Sequence, residues 1–353
     1  MAWIIYAAPA AVIFITALVL YMFWYEPSNF KLSEVNIFVS DRYARKEWEI
    51  KEDVEGSSGG TGRNPFLTIL HLSDFHLRKN SKGRKLFRFV RSLKDLKPDF
   101  IFITGDLVES NRNIDYLVEM LEPLNAKSGK YAILGVHDHY EKAFIEFAKN
   151  MFKKKRAYTR ENDINCLRGK LKDIGVEILL NERRSFKLKK NGIDNIEVIG
   201  LDDPVIEKID IDKAFSGCSS GKGMELKFKN KKDYKKAYSN VFMLSNKKVH
   251  TVNRKGRLRL VLLHTPDSDS IMELAGRDTD IIFCGHTHGG QVRLPLIGAI
   301  ISGCKIKTKF ASGLFYFKKV VLFITRGLGE GKYSQFRFYC QPEANLVKIY
   351  KTN

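Results

Sequence analysis

Two histidines, His286 and His288, stand two residues apart in a glycine-bounded stretch that directly follows an apolar run at 281–284. Such a run is typical of a buried strand, and the glycines allow a tight turn at its end. In extended backbone, side chains two apart point to the same face, so both rings can reach one metal ion. By itself, the pair is as consistent with two ordinary, partly exposed histidines as with a metal site.

Four other apolar runs, at 67–72, 100–104, 131–134 and 260–263, also lead into side chains that can bind metal. These side chains are, in chain order, Asp74, His76, Asp106, His137, Asp138 and His264. Ligands at the carboxyl ends of several strands can converge on one point. Carboxylate and imidazole together suit Mn, Fe or Zn, and two ions that share a bridging aspartate form a centre for phosphoryl transfer.

The order Asp-x-His, Gly-Asp, Gly-x-His-Asp, His and Gly-His-x-His resembles the calcineurin-like metallophosphoesterase family, over residues from about 65 to 350. The stretches Leu-Ser-Asp-x-His, Gly-His-Thr-His-Gly-Gly-Gln and Pro-Glu-x-x-Leu are similar to those of its membrane-linked bacterial branch. The resemblance implies an α/β (α+β) fold with two packed mixed β-sheets flanked by helices. Within the branch, the chain resembles the UDP-2,3-diacylglucosamine pyrophosphatases of lipid A biosynthesis.

The resemblance also implies roles for individual residues around two divalent ions, with Mn²⁺ favoured and Mg²⁺, Fe²⁺ or Zn²⁺ open. The ligands of the first ion would be Asp74, His76, Asp106 and His288. Asp106 would bridge to a second ion, which His264 and His286 also hold. His137 would protonate the leaving oxygen or donate a hydrogen bond to it, with Asp138 orienting its ring.

One position departs from the family pattern. Where the family has an asparagine whose carbonyl oxygen binds the second ion, this chain has Val136, which has no ligand atom. The second ion could bind weakly, bind through water, or recruit Asp138 or His139. A catalytically silent relative, which only binds its ligand, is the other interpretation.

The first 25 residues differ in composition from the rest. Between residues 3 and 25 only Thr16 interrupts the apolar run, which is long enough to span a bilayer as a helix. Aromatic residues typical of a membrane interface stand at its ends, namely Trp3, Tyr6, Trp24 and Tyr25. A cleaved signal peptide is the alternative, but no Lys or Arg precedes the run and no small-x-small site follows it. We therefore expect a retained transmembrane anchor.

Charges and cysteines predict the side of the membrane on which the domain lies. Basic residues follow the apolar run and none precedes it, so the positive-inside rule predicts a single-pass protein of the inner membrane with its catalytic domain in the cytoplasm. Five cysteines, odd in number and without tight pairing, favour reduced thiols over a disulfide framework.

The formal net charge of +20 indicates an anionic partner. Nucleic acid could supply it through counterion release, but an anchor beside the bilayer makes anionic lipid and phosphate substrates the simpler account. Together with the phosphoesterase motifs, this predicts an anionic, amphiphilic phosphate as substrate. A broad phosphodiesterase or phosphatase, and a silent binder of anionic lipid or nucleic acid, remain as alternatives. Nothing in the sequence predicts the oligomeric state.

We predict three regions: an anchor at 1–25, a juxtamembrane strand and flexible linker at 26–65, and a metallophosphoesterase domain at 66–353 with a lysine-rich insertion at about 204–256. The linker contains an alternating segment at 32–39, typical of an edge strand. Helices are expected at 81–96, 113–124, 141–152, 164–174 and, within the insertion, near 234–244. Strands in the C-terminal third are expected at 313–317, 320–325, 335–339 and 345–350.

Overall fold

The computed structural model describes residues 2–40, 64–141, 158–190, 193–217, 242–243, 250–252, 256–317 and 320–352. In these ranges, two seven-stranded mixed sheets lie face to face, and helices cover their outer faces. The helices are α1 (Ala2–Leu20), α2 (Ser81–Ser92), α3 (Ile114–Leu121), α4 (Val136–His139), α5 (Ile164–Asp173), α6 (Ile211–Phe215) and α7 (Ser268–Gly276). The two packed mixed sheets with flanking helices confirm the predicted fold class.

The first sheet has the strand order β5-β4-β3-β2-β16-β1-β9. Its strands are β1 (Lys31–Ser40), β2 (Leu67–Leu72), β3 (Phe100–Thr104), β4 (Gly129–Ile133), β5 (Val176–Ile178), β9 (His250–Val252) and β16 (Glu343–Thr352). Strands β2, β3, β4 and β5 are parallel neighbours, so their carboxyl ends lie at one edge of the sheet.

The second sheet has the order β6-β7-β10-β11-β15-β14-β8. Its strands are β6 (Glu182–Lys190), β7 (Ile193–Gly200), β8 (Phe242–Met243), β10 (Arg257–Leu262), β11 (Ile281–Cys284), β14 (Gly313–Phe317) and β15 (Val320–Ile324). The pairs β7–β10, β10–β11 and β11–β15 are parallel. A separate two-stranded hairpin is formed by β12 (Arg293–Leu294) and β13 (Gly298–Ala299).

The alternation of side chains along each strand divides the core into three layers. In β2, Leu67 and Ile69 belong to the cluster between the sheets, whereas Leu70 and Leu72 belong to the cluster under α2 and α3. A third cluster lies under α6 and α7. Because both faces of the central strands are covered, their sequences are almost continuously apolar, and the strand ends are held rigidly.

Strand β1 is present where the sequence predicts it, but its position in the sheet differs from the expectation of an edge strand. It pairs in parallel with β16 along its whole length, and its last three residues also pair with β9. Both partners are distant in sequence, so local alternation could not indicate them. The division of the chain at residues 25 and 65 stays a prediction, although β1 belongs to the first sheet.

The strand expected at 335–339 is wrong. Phe338 makes one isolated bridge, to Val292, and the rest of the segment is irregular. Its alternating pattern has another cause, because Arg337 is fully buried and donates to the backbone carbonyl oxygens of Arg326 and Gly329, at 3.0 and 2.7 Å. A guanidinium can satisfy several buried carbonyls at once, which holds this segment as a loop.

The other expected elements divide into those that the structure describes and those that it does not. The helices expected at 81–96, 113–124 and 164–174 are confirmed as α2, α3 and α5, with shorter bounds. The helix expected at 141–152 lies outside the described residues. So does most of the one near 234–244, where the described residues 242–243 form a strand. The four described cysteines form no disulfide with one another.

The N-terminal helix continues as a π-helical turn (Tyr21–Tyr25) and a 3-10 turn (Glu26–Ser28). The span Tyr6–Ser28 has a mean hydropathy of 2.1, and by length and composition it could cross a membrane. The carboxyl-terminal end of this span contacts the domain, because the backbone N–H of Arg337 donates to the Met22 carbonyl oxygen at 3.0 Å. The Glu26 carboxylate accepts a hydrogen bond from the Cys340 N–H at 2.6 Å.

Candidate metal centre

The six predicted metal ligands meet at the carboxyl ends of the strands. Strands β2, β3, β10 and β11 each contribute a ligand two residues beyond their last residue. The ligands form two groups, within which the potential metal-binding atoms lie within 4.8 Å of one another. The groups are Asp74, His76 and His288, and Asp106, His264 and His286.

Backbone conformation at these positions is unusual. Five of the six residues have a positive φ, which side chains with a Cβ rarely adopt. They are Asp74 (54°), His76 (41°), Asp106 (51°), His286 (67°) and His288 (49°). Such strain is maintained only where the surrounding structure enforces it, and it clusters at functional sites. Here it turns each chain sharply after its strand, so that the side chains point toward one another.

In the first group, the Nε2 atoms of two imidazole rings face each other. The Nε2 atoms of His76 and His288 lie 3.1 Å apart. His288 Nδ1 donates to the Gly329 carbonyl oxygen at 3.1 Å, and His76 Nδ1 lies 2.9 Å from a Glu109 carboxylate oxygen, so the Nε2 atom of each ring points into the site. Burial and the neighbouring His76 lower the pKa of His288 well below its ordinary value, which keeps that ring neutral. Burial opposes the charge of His76, but Glu109, Asp106 and Asp74 raise the pKa of this ring above its ordinary value, so it takes up a proton where a cation would otherwise be bound.

In the second group, His264 is fully buried and is held in the same way. Its Nδ1 donates to the Thr104 carbonyl oxygen at 2.6 Å, and its Nε2 lies 3.2 Å from Asp106 Oδ2. Burial lowers the pKa of His264, but the carboxylates of Asp106, Asp74 and Asp203 raise it to about 10. The ring therefore takes up a proton where a positive ion would otherwise sit, as expected of a ligand set that surrounds a cation.

The carboxylate of Asp106 reaches both groups. Its Oδ2 lies 3.5 Å from His76 Nε2 and 3.2 Å from His264 Nε2. Burial alone would raise its pKa, but the facing charges of His264 and His137 hold the pKa of Asp106 well below its usual range. Two ligands at about 2.1 Å from one ion are themselves ~3.0–3.5 Å apart, so these separations fit metal coordination.

Two glycines allow the ligand loops to approach this closely. A Cβ at Gly285 would overlap Ser73 Oγ and lie 2.5 Å from Asp74 Oδ2, and one at Gly135 would overlap Asp106 Oδ1. Any larger residue would push the carboxylates away from the imidazoles. The glycines in the motifs are therefore required by the spacing of the site.

Sequence reasoning missed Glu109, which lies three residues after Asp106. Its buried carboxylate contacts two histidines at once: Oε1 lies 2.9 Å from His76 Nδ1 and Oε2 lies 3.1 Å from His137 Nδ1. Although burial opposes its charge, His137 and His76 hold the pKa of Glu109 well below its usual range. A carboxylate that fixes the tautomer of a metal-binding histidine is a common support for such sites. The signal available in the sequence was the acidic residue in Gly-Asp-x-x-Glu.

Glu109 makes the contact to His137 Nδ1, and the orienting role expected of Asp138 stays a prediction. The Asp138 carboxylate accepts backbone N–H groups from Leu107 and Val108, at 2.7 and 3.1 Å, and from Gly135 at 2.9 Å. It stands at the third position of the short helix α4, where an acidic side chain can turn back to cap the amino terminus. Asp138 therefore fixes the loop after β3 against α4, and burial and the neighbouring Asp106 carboxylate raise its pKa to about 7.

Val136 is fully buried and contributes no ligand atom, as expected from its side chain. Neither alternative ligand replaces it. Asp138 is occupied by backbone amides, and His139 Nε2 lies 2.7 Å from the carboxylate of Asp202. Among the described residues, the second group thus consists of Asp106, His264 and His286.

Two other polar side chains near the site, His71 and Arg293, support the structure. His71 lies in β2, packs edge-on against Phe283 and Phe323, and has a pKa that burial lowers to about 3, so it is a neutral core residue. Arg293 donates to the Gly289 carbonyl oxygen at 2.9 Å and thus supports the loop that carries His288.

Comparison with known proteins agrees with this arrangement. Residues 67–290 match the calcineurin-like phosphoesterase family. An uncharacterised metallophosphoesterase of Bacillus subtilis, YkoQ, is 25% identical over 288 residues, which cover 80% of this chain and 83% of the relative. The UDP-2,3-diacylglucosamine pyrophosphatase LpxG of Chlamydia trachomatis is 26% identical over 314 residues, with the same coverage. The phosphodiesterase YaeI of Escherichia coli is 37% identical over 91 residues, which cover 26% of this chain and 32% of YaeI. The chain belongs to the calcineurin-like phosphoesterase family of metal-dependent hydrolases.

Proposed function

We propose that this protein hydrolyses the pyrophosphate of UDP-2,3-diacylglucosamine to UMP and 2,3-diacylglucosamine 1-phosphate at the inner membrane, in lipid A biosynthesis. LpxG, whose name states this substrate, matches along four fifths of the chain. The relative YkoQ is almost equally similar and has no stated substrate, so identity alone does not choose between them. The choice depends on where the site lies relative to the apolar helix.

The observation that carries the proposal is the direct connection between that helix and the metal centre. The segment 334–340 accepts the end of the helix through Met22 and Glu26. The same segment contacts the loop 285–291, which we call the metal loop. Gln291 Nε2 donates to the Ser334 carbonyl oxygen at 2.7 Å, and Cys340 Sγ donates to the His288 carbonyl oxygen at 3.2 Å. If the helix spans the bilayer, the site is held at its surface, where an acylated nucleotide sugar resides.

Two divalent ions, Mn²⁺ by preference, fit the ligand set. Asp74, His76, Asp106 and His288 would hold one, and Asp106, His264 and His286 the other. When bound, the ions supply Lewis-acid chemistry that activates water and neutralises charge on the phosphoryl oxygens. The missing ligand at Val136 predicts a weaker second site.

The protein's own groups supply the proton for the leaving group. His137 Nδ1 is held by Glu109, so Nε2 is the nitrogen that can face the substrate. As the phosphorus–oxygen bond breaks, His137 would donate a hydrogen bond or a proton to the departing phosphate oxygen. The backbone of His137 is itself fixed to the site, since its N–H donates to Asp106 Oδ1 at 3.0 Å.

The anchor and the positive charge also define the proposed location. Lys31 follows the span directly, and Arg42, Arg45 and Lys46 come soon after it in the sequence. This distribution favours a cytoplasmic domain on the inner membrane. The net charge of +20 would draw the domain toward anionic lipid headgroups and toward a substrate with a pyrophosphate group, whereas nucleic acid is not an expected partner.

The experiment uses the full chain in detergent micelles with Mn²⁺, and compares UMP release from UDP-2,3-diacylglucosamine with hydrolysis of bis-p-nitrophenyl phosphate. A strong preference for the acylated nucleotide supports the proposal. Turnover of the chromogenic diester alone would support the enzyme class but exclude the lipid A reaction. The protein would then be a broad phosphodiesterase, and the relative YaeI is also named a phosphodiesterase. Absence of turnover of both, with each of Mn²⁺, Mg²⁺, Fe²⁺ and Zn²⁺, would favour a silent binding protein.

A further inference from the structure

The hairpin at 292–301, which we call the rim hairpin, exposes four large aliphatic side chains. Their exposed fractions are 108% for Leu296, 74% for Ile297, 51% for Ile300 and 67% for Ile301. Outside the N-terminal helix, the described chain has few exposed large hydrophobic residues, and most of them are in this hairpin. A cluster of this kind on a soluble surface marks an interaction site, whereas single exposed residues do not.

The backbone at the tip of the rim hairpin holds these side chains outward at a cost. Leu296 has a φ of 66°, a conformation that a leucine rarely adopts. The Ile297 N–H donates to the Pro295 carbonyl oxygen at 2.8 Å, which closes a three-residue turn around Leu296. Glycine or asparagine would fit this turn with less strain. A strained tip with a fully exposed leucine gains nothing from packing within the fold.

The rim hairpin packs directly on the metal loop. A Cβ at Gly290 would lie 2.5 Å from Ala299 Cβ and 2.6 Å from the Ile301 carbonyl oxygen, so the hairpin and the turn that follows His288 are in contact. Arg293 further joins the two through its hydrogen bond to Gly289. Movement or burial of the hairpin therefore acts on the wall of the metal centre.

The rim hairpin is also continuous with the end of the apolar helix. The Arg293 N–H donates to the Phe338 carbonyl oxygen at 2.9 Å, and the Phe338 ring lies edge-on to Tyr21, with centroids 6.1 Å apart. Phe23 and Phe336 are in contact as well, with centroids 5.4 Å apart. The helix end and the hairpin thus belong to one connected surface beside the metal loop.

Polar and aromatic residues around this surface have the composition of a membrane interface. Trp24, Tyr25 and Tyr339 are each 60% exposed. Such aromatic side chains are favoured at the level of lipid headgroups. The rim hairpin is followed in the chain by three exposed lysines, Lys305, Lys307 and Lys309, which can attract an anionic lipid surface.

We propose that the rim hairpin is a second membrane-docking element, whose tip at Leu296 and Ile297 inserts into the lipid bilayer beside the anchor helix. The inference rests on the membrane attachment in the proposed function and adds a second point of contact. A single helix leaves the domain free to turn about its axis, whereas two separated contacts fix its orientation. With the hairpin inserted, the wall formed by Gly289 and Gly290 faces the bilayer, and a substrate with acyl chains can approach the candidate metal ligands without leaving the lipid.

A depth measurement tests the insertion without any assumption about the substrate. A fluorescent NBD label is attached to Leu296→Cys in the full chain, with Cys166, Cys218 and Cys304 replaced by serine, while Cys284 and Cys340 are buried and stay. The protein is reconstituted into phosphatidylcholine–phosphatidylglycerol vesicles with a nitroxide on the acyl chains. The matched control carries the label at Asn125→Cys, an exposed site in the loop before β4, at the opposite end of the strands from the metal centre.

We expect a blue-shifted emission and at least about twofold stronger quenching at position 296 than at position 125. Equal quenching at the two positions overturns the proposal. A blue shift that occurs without lipid and rises with protein concentration also overturns it, because a second copy of the chain would then cover the tip.

A second measurement uses the variant Leu296→Asn/Ile297→Asn, with Leu296→Met/Ile297→Val as its apolar control. Asparagine tolerates a positive φ, so the polar pair should fold with an unchanged thermal midpoint. In vesicles, the apparent KM for the acylated nucleotide should rise about tenfold in the polar variant and stay unchanged in the control, because two aliphatic side chains no longer enter lipid. Equal KM values for the two variants contradict the proposal. Quenching at position 296 without turnover of the acylated nucleotide would refute the proposed substrate and leave the docking element in place.

Discussion

The substitution Glu109→Gln tests how the candidate site is built, because one carboxylate supports two histidines with different proposed roles. Its oxygens lie 2.9 Å from His76 Nδ1 and 3.1 Å from His137 Nδ1, and both rings donate to it. Glutamine keeps the size of the side chain but offers one acceptor oxygen and one NH₂ group. Only one of the two rings can then keep its hydrogen bond, unless the other changes its tautomer.

The expected magnitude follows from these contacts. A hydrogen bond to a charged group contributes about 1.5–3 kcal/mol, and about 1.4 kcal/mol corresponds to a factor of ten. Loss of one such contact therefore predicts a decrease of about 10- to 100-fold, a range also typical for groups that support metal ligands. If His76 loses its partner, the decrease is in metal affinity. If His137 loses its partner, kcat at saturating metal decreases instead.

The assay measures turnover of a phosphodiester across a Mn²⁺ titration, for leaving groups of low and high pKa. A defect at His137 should be larger for the leaving group of high pKa, which needs a proton, whereas a defect at His76 should decrease as Mn²⁺ is raised. Asp202→Asn is the matched control, because it removes the carboxylate from another buried histidine pair, at His139, outside the two ligand groups. A Glu109→Gln enzyme with wild-type kcat and Mn²⁺ dependence would refute the assigned role of Glu109.

Three further predictions concern the ions and the stability of the domain. Asp106→Asn should lower activity by at least about 10³-fold, because both ligand groups lose a carboxylate. Bound metal, measured by elemental analysis, should decrease as well. Activity within a few-fold of wild type would contradict the assignment of Asp106 as the bridging ligand. Val136→Asn should tighten the weaker Mn²⁺ site about tenfold in a calorimetric titration, and an unchanged titration would mean that the site is completed differently. Burial raises the pKa of Asp280 to about 7 against the opposing effect of Arg259, so its contribution to stability is complete below about pH 4 and is lost as the pH rises to about 7. The free energy of unfolding should change by at most ~4 kcal/mol over this pH range. Urea unfolding of Asp280→Asn should lack this pH-dependent change, and parallel pH profiles of unfolding for the variant and the wild type would refute the prediction.

The convergence of the candidate metal ligands could be predicted from the sequence, because most of them stand at the same short distance from the end of an apolar strand. Asp74, Asp106, His264 and His286 all stand two residues beyond an apolar strand, and parallel strands bring such positions to one edge. The role of Glu109 could not be predicted in this way. It depends on how the loop after β3 turns, and that turn is fixed by hydrogen bonds to Asp138 from another part of the chain.

The errors in the predicted strands have a similar cause. Residues 335–339 alternate like a strand. However, the Arg337 side chain donates hydrogen bonds to carbonyl oxygens of a neighbouring loop, and the segment does not form a regular strand. Strand β1 has the expected pattern, yet its neighbours in the sheet are set by long-range contacts. Periodicity indicates which face of a segment is apolar, and it contains no information about which distant segment will cover that face.

The pairing of β1 with β16 has a consequence for how the protein is made. The two strands are joined along ten residue pairs, although about 300 residues separate them in the chain. At about 5–20 residues per second, β1 leaves the ribosome roughly 15–60 s before its partner is synthesised. During that interval the N-terminal helix can already enter the membrane, while the backbone groups of β1 remain unpaired beside it. Completion of the first sheet is therefore one of the last events in biosynthesis, and the nascent chain depends on solvent, lipid or chaperones to cover that strand until then.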